Sequence, residues 1–141
     1  MPFCQVSLKA KKPLPRAYPK ELKTLGDHLR KKRLELGLLQ KDVARILGVS
    51  QDTIYNWENK RTSPSLRSIP KIIEFLGYIP YDIQGLSPGE ELRLLRRILG
   101  LSQEKLAKKL GIDPSTLWRW EKGKRKPPGD ILENLKRAIG S

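Results

Sequence analysis

The sequence predicts an all-α protein: two tandem copies of one small unit of about five short helices, preceded by a basic arm. Three observations predict it. Leucine and isoleucine recur at helical spacing, as in Leu25, Leu29 and Leu36. No strand-length alternation occurs apart from a weak one over Phe3–Lys9. Sliding the chain against itself gives one clear register at an offset of 63 residues. There Arg33 falls on Arg96, Gln40 on Gln103, Ala44 on Ala107, Gly48 on Gly111, Trp57 on Trp120 and Glu58 on Glu121. No gap is needed across about forty residues. The expected organisation is an arm over 1–23, a first domain over 24–78, a Pro- and Gly-containing linker over 79–86, and a second domain over 87–141.

Each element has a local reason. Thr24 with Asp27 resembles a capping box opening the first helix, and Gly37 closes it. A second helix over about 40–47 buries Val43, Ala44 and Leu47 and stops at Gly48. Ser50 is a good N-cap for a third helix over about 51–59, with Ile54 and Trp57 inward. Pro64 then breaks the chain, and Leu66, Ile69, Ile72, Ile73 and Leu76 support one or two closing helices. The second copy has cleaner punctuation: Ser87-Pro88 and Asp113-Pro114 each set an N-cap before a first-turn proline. Ser102 caps its second helix, where the first copy has Leu39, which cannot.

Composition narrows the function. Among 141 residues, 29 Lys and Arg oppose 15 Asp and Glu, a formal charge of +14. The excess is +5 over the arm, +4 over the first domain and +6 over the second, so it is not confined to a tail. Such a balance suits a polyanionic partner. No apolar run is long enough to span a bilayer and no signal-like stretch begins the chain, so the expectation is a cytoplasmic protein without membrane association. One cysteine, Cys4, and one histidine, His28, make neither a disulfide nor a soft metal cage. Cys4 reads as an inert thiol and His28 as surface or boundary. No Ser/His/Asp, Cys/His or paired-carboxylate set stands out, so neither an enzyme nor a cofactor site is expected.

The core of each copy is Gln-x3-Ala-x3-Gly-x5-[Ile/Leu]-x2-Trp-Glu: QKDVARILGVSQDTIYNWE in the first and QEKLAKKLGIDPSTLWRWE in the second. Ala44 and Ala107 fit where two helices cross steeply, and Gly48 and Gly111 suit a turn with positive φ. This is a helix-turn-helix, whose second helix can lie in a DNA major groove. The chain resembles the lambda-repressor-like (XRE) helix-turn-helix family, twice over, across about 110 residues. The resemblance implies a five-helix unit whose third helix reads bases. It also implies a structural ion pair in each copy, Arg33 with Glu58 and Arg96 with Glu121, and a phosphate contact for Gln40 and Gln103.

The outward stripe of the third helix is Gln51, Asp52, Tyr55 and Asn56 in the first copy, and Pro114, Ser115, Trp118 and Arg119 in the second. Gln51 and Asn56 match the N6 and N7 edge of adenine, Asp52 accepts from cytosine N4, and Arg119 suits guanine O6 and N7. Tyr55 and Trp118 have two readings, against a thymine methyl or along the sugar–phosphate wall. The amides make the first copy the more specific reader. Ser50, Lys60, Arg61, Lys122, Lys124, Arg125 and Lys126 are further candidates for phosphate. Trp57 and Trp120, three residues after Ile54 and Leu117, read as core. The arm from Lys9 to Lys20 reads either as a minor-groove strand or as a tail.

The functional expectation is a sequence-specific double-stranded DNA-binding regulator of bacterial or phage type, acting by steric exclusion and nucleoid-associated when bound. Readers on one face of B-DNA sit about 34 Å apart. An eight-residue linker reaches at most about 28 Å, so with the domain widths added adjacent turns are within range. Two alternatives stand beside it. One is an antitoxin-like or adaptor module that binds protein, or a homodimer, through the closing helices, using Phe75, Tyr78, Ile79 and Tyr81. The other is a nucleic-acid binder without sequence preference.

Overall fold

The computed structural model describes Pro19 and residues 21–140. Cys4, the Phe3–Lys9 alternation and the arm up to Lys20, Pro19 excepted, lie outside the described residues. These form eight α-helices and no strand. They divide into two compact units, one ending at Pro64 and one beginning at Ser65.

The first unit holds α1 (Leu25–Glu35), α2 (Gln40–Leu47) and α3 (Gln51–Glu58). The Thr24 hydroxyl accepts from the Asp27 N–H while the Asp27 carboxylate accepts from the Thr24 N–H, both at 3.1 Å, which completes the box that starts α1. Leu39 has no capping side chain; instead the Asp42 carboxylate accepts its N–H at 2.8 Å. The Ser50 hydroxyl accepts from the Thr53 N–H and caps α3. Between α2 and α3 the chain turns at Gly48, with φ +71°. Leu29, Val43, Leu47, Ile54 and Trp57 are buried between the three helices. At roughly 1.5–3 kcal/mol for each large apolar side chain, this small core dominates the stability of the unit. Ala44 is buried at the α2–α3 crossing.

One contact sets the distance between α1 and α3. Gly26 lies so close to the Trp57 carbonyl that any Cβ would overlap it. Gly89 repeats the arrangement against the Trp120 carbonyl in the second unit.

The second unit begins with a 3-10 turn (Leu66–Ser68) and α4 (Ile69–Leu76), and continues with α5 (Pro88–Ile98), α6 (Gln103–Leu110), α7 (Pro114–Glu121) and α8 (Gly129–Gly140). Its core is Leu92, Leu95, Leu106, Ala107, Leu117, Trp120 and Leu135, flanked by Ile131, Leu132 and Ile139 of α8. Gly111 turns between α6 and α7 with φ +69°. The 3-10 turn and α4 lie in the second compact unit. α4 packs on α5, and both Pro70 and the Leu66 carbonyl sit directly over Gly100.

The helix count matches the expected plan of about five short helices per copy. Each copy has four α-helices, with the additional 3-10 turn in the first. After α7 the chain turns over 122–125, and Lys126, Pro127 and Pro128 lie outside any helix. Neither proline has an N–H to donate, and the residue before a proline avoids the helical region.

Candidate nucleic-acid interface

α3 and α7 are each held from beneath by an ion pair. Arg33 grips Glu58 with two hydrogen bonds, Nε to Oε2 and Nη2 to Oε1, both 2.8 Å, and its Nη1 donates to the Leu38 carbonyl at 3.1 Å. In the second copy Arg96 meets Glu121 at 2.7 and 3.1 Å and donates to the Leu101 carbonyl. The Glu58 side chain is 1% exposed, so its charge is compensated inside the protein. Gln40 and Gln103 join these pairs: each Nε2 donates to the glutamate Oε1, at 3.2 and 3.0 Å. Each glutamine therefore ties the start of α2 or α6 to the end of the following helix, leaving one amide N–H for another acceptor.

On the outer side of α3, Gln51, Asp52 and Tyr55 are exposed and Asn56 is half-buried. On α7, Pro114, Ser115, Trp118 and Arg119 are exposed. Ser115 is committed locally. Its hydroxyl and its N–H both donate to the Asp113 carboxylate, at 2.7 and 2.8 Å, which lowers the Asp113 pKa below the ordinary aspartate value. Ser50 likewise spends its hydroxyl on Thr53.

The turns after the reading helices are basic and exposed, with Lys60 and Arg61 in the first copy and Lys122, Lys124, Arg125 and Lys126 in the second. Lys60 holds φ +60° where Gly123 stands in the second copy, and its ammonium lies 3.8 Å from Asp27. Trp57 and Trp120 are buried.

One cation escaped the sequence reading. Arg93 lines a niche of about 210 Å3 with Arg96, Gln103, Trp118, Glu121 and Lys122. The signal was present, because Arg93 precedes Arg96 by three residues and shares its side of α5. Its counterpart in the first copy is Arg30, whose Nε is buried with no hydrogen-bond partner among the described residues.

The family model for the helix-turn-helix matches this chain twice, over residues 29–83 and 92–141. The protein therefore belongs to the lambda-repressor-like helix-turn-helix family, in tandem duplicate. An uncharacterized HTH-type transcriptional regulator from Archaeoglobus fulgidus is 54% identical over 51 residues, covering 36% of this chain and 22% of that protein. The chain thus spans about a fifth of the length of the curated relative it matches. No solved structure is a significant match. Among the described residues, no helix is long and apolar enough to cross a membrane.

Proposed function

We propose that the protein is a sequence-specific double-stranded DNA-binding transcriptional regulator whose two helix-turn-helix copies, joined by the 79–86 linker, act as tethered readers on adjacent major grooves. The observation that carries this is the repeated separation of roles on α3 and α7. The inner side and C-terminal end of each helix are fixed by tryptophan burial and the Arg–Glu–Gln cluster. The outer side presents polar groups to solvent, with cations in the turn beyond. Polar outer side chains supply base-edge hydrogen bonds, and the cations supply phosphate contacts that position the helix without reading sequence. Gln51, Asp52, Tyr55 and Asn56 are assigned to bases in the first copy, and Ser115, Trp118 and Arg119 in the second. Gln40, Ser50, Lys60, Arg61, Gln103, Lys122, Lys124, Arg125 and Lys126 are assigned to phosphates.

Because the two stripes differ, the bound site is non-palindromic and of roughly 15–20 base pairs. Repression by steric exclusion of polymerase is the mode of regulation that this reading assigns.

A second reading has its own observation. Ile79, Ile83, Leu94, Leu95, Ile98 and Ile139 line an apolar groove of about 290 Å3, and Tyr78, Ile79 and Ile83 are exposed. That surface suits a protein partner or a second copy of the chain, with DNA binding secondary.

Selection of bound duplexes from a random pool, followed by gel shifts under excess random DNA, separates the readings. A specific regulator yields a shared motif and survives the competitor. A charge-driven binder yields none and is competed away, and the salt slope alone does not distinguish them.

A further inference from the structure

Each reading helix carries one aromatic side chain that it does not bury, and in each copy the following turn sends a cation over its ring. The Arg61 guanidinium carbon lies 5.5 Å from the centroid of Tyr55, and the Lys124 ammonium lies 5.5 Å from that of Trp118. Both pairs occupy matching positions in the 63-residue repeat, yet ring and cation differ in identity between them. The turn backbone accounts for the approach. The Arg61 N–H donates to the Asn56 carbonyl and the Lys124 N–H to the Arg119 carbonyl, both at 2.9 Å. These bonds fold the cation back over the end of the helix. With the cation in place, Tyr55 is still 43% exposed and Trp118 41%.

A large ring left exposed beside base-reading positions offers an apolar surface to a base edge. Within the major groove, the distinctive apolar feature is the C5 methyl of thymine. The cation over the ring retains N–H donors, and phosphate is the acceptor at the groove wall. A ring already held by a cation also loses less freedom on docking.

We infer that the Tyr55–Arg61 and Trp118–Lys124 pairs are thymine-specifying elements, one per copy: the ring takes the C5 methyl, and the cation fixes the ring and takes the neighbouring phosphate. This rests on the reading of α3 and α7 as base readers.

The test uses the full chain and the duplex selected from the random pool, with each thymine replaced in turn by deoxyuridine, which removes only the methyl. One thymine in each half of the site is expected to show about a fourfold loss of affinity on replacement, the scale of one buried methyl group. Tyr55→Ala abolishes the penalty at one of these positions and Trp118→Ala at the other, while each variant keeps a cooperative thermal transition and its binding to the other half-site. Arg61→Gln weakens the first penalty and lowers the salt slope by about one. Deoxyuridine tolerated at every position, or penalties that persist in the alanine variants, would overturn the inference while leaving the regulator reading intact. A pool with no shared motif would overturn both.

Discussion

At the residue scale, the two glycines at the start of α1 and α5 leave no room for change. A methyl group at Gly26 meets a backbone carbonyl, which has no rotamer to swing aside. Gly26→Ala and Gly89→Ala are each expected to destabilise at the upper end of roughly 1–3 kcal/mol, read as a lowered urea midpoint. The ion pairs make a different prediction. Glu58→Ala leaves the Arg33 guanidinium almost buried and unpaired, at a cost of about 3–5 kcal/mol. Arg33→Met combined with Glu58→Leu restores more than half of that loss, because the attraction in the native pair is largely offset by desolvation. A third prediction concerns acid. Burial holds the His28 imidazole below its ordinary value of 6.5, with Lys31 acting in the same direction and Asp27 against it. The unfolded chain therefore binds the proton more readily, so this contribution is complete above about pH 6.5 and is lost as pH falls through that value. The urea midpoint should drop between about pH 7.5 and about pH 5.5, and His28→Gln should flatten that drop.

At the element scale, most of the helices were legible before any coordinates. Thr24, Ser50, Ser87, Ser102 and Asp113 mark their helix starts in the sequence, and each side chain accepts an N–H from its first turn. What sequence concealed was partnership. The Gly26/Gly89 coincidence lies in the same register as the other matches, but a glycine in a helix carries no periodicity signal and reads as a weak spot. Gln40 and Gln103 were assigned to phosphate by resemblance, whereas their tie to a glutamate eighteen residues on depends on how the helices cross. The second copy has no counterpart of the 3-10 turn, because Pro127 and Pro128 lack the N–H donors it would need. The reading stripe carries its own test. Gln51→Ala with Asn56→Ala should relax sequence preference in a gel shift while leaving binding to random DNA nearly intact. Arg119→Ala should do the same for the other half of the site, at about 1–3 kcal/mol of discrimination. A uniform loss over all sequences would reassign these side chains to the backbone.

At the scale of the whole molecule, the proposed function gives duplication the part that dimerisation plays elsewhere. Once one reader docks, the other searches at a local concentration in the millimolar range, set by a short linker. Disabling the second reader with Trp118→Ala and Arg119→Ala together should therefore weaken binding to a complete site by about 10²–10⁴-fold. The same change should leave binding to an isolated first half-site unaffected, and titration of both duplexes by fluorescence anisotropy checks this. The repeat is readable in the sequence because its matches need no gap. Which copy α4 packs with depends on Pro70 meeting Gly100, a contact that no periodicity encodes.

The glycine abutments and glutamate clusters also bear on how such a protein changes over generations. Most of what fastens α3 and α7 lies on their concealed sides, so on the proposed reading outward positions such as Gln51 and Arg119 carry little folding constraint. A new target preference is then one or two substitutions away, and one half can be retargeted while its sibling keeps hold of the old address.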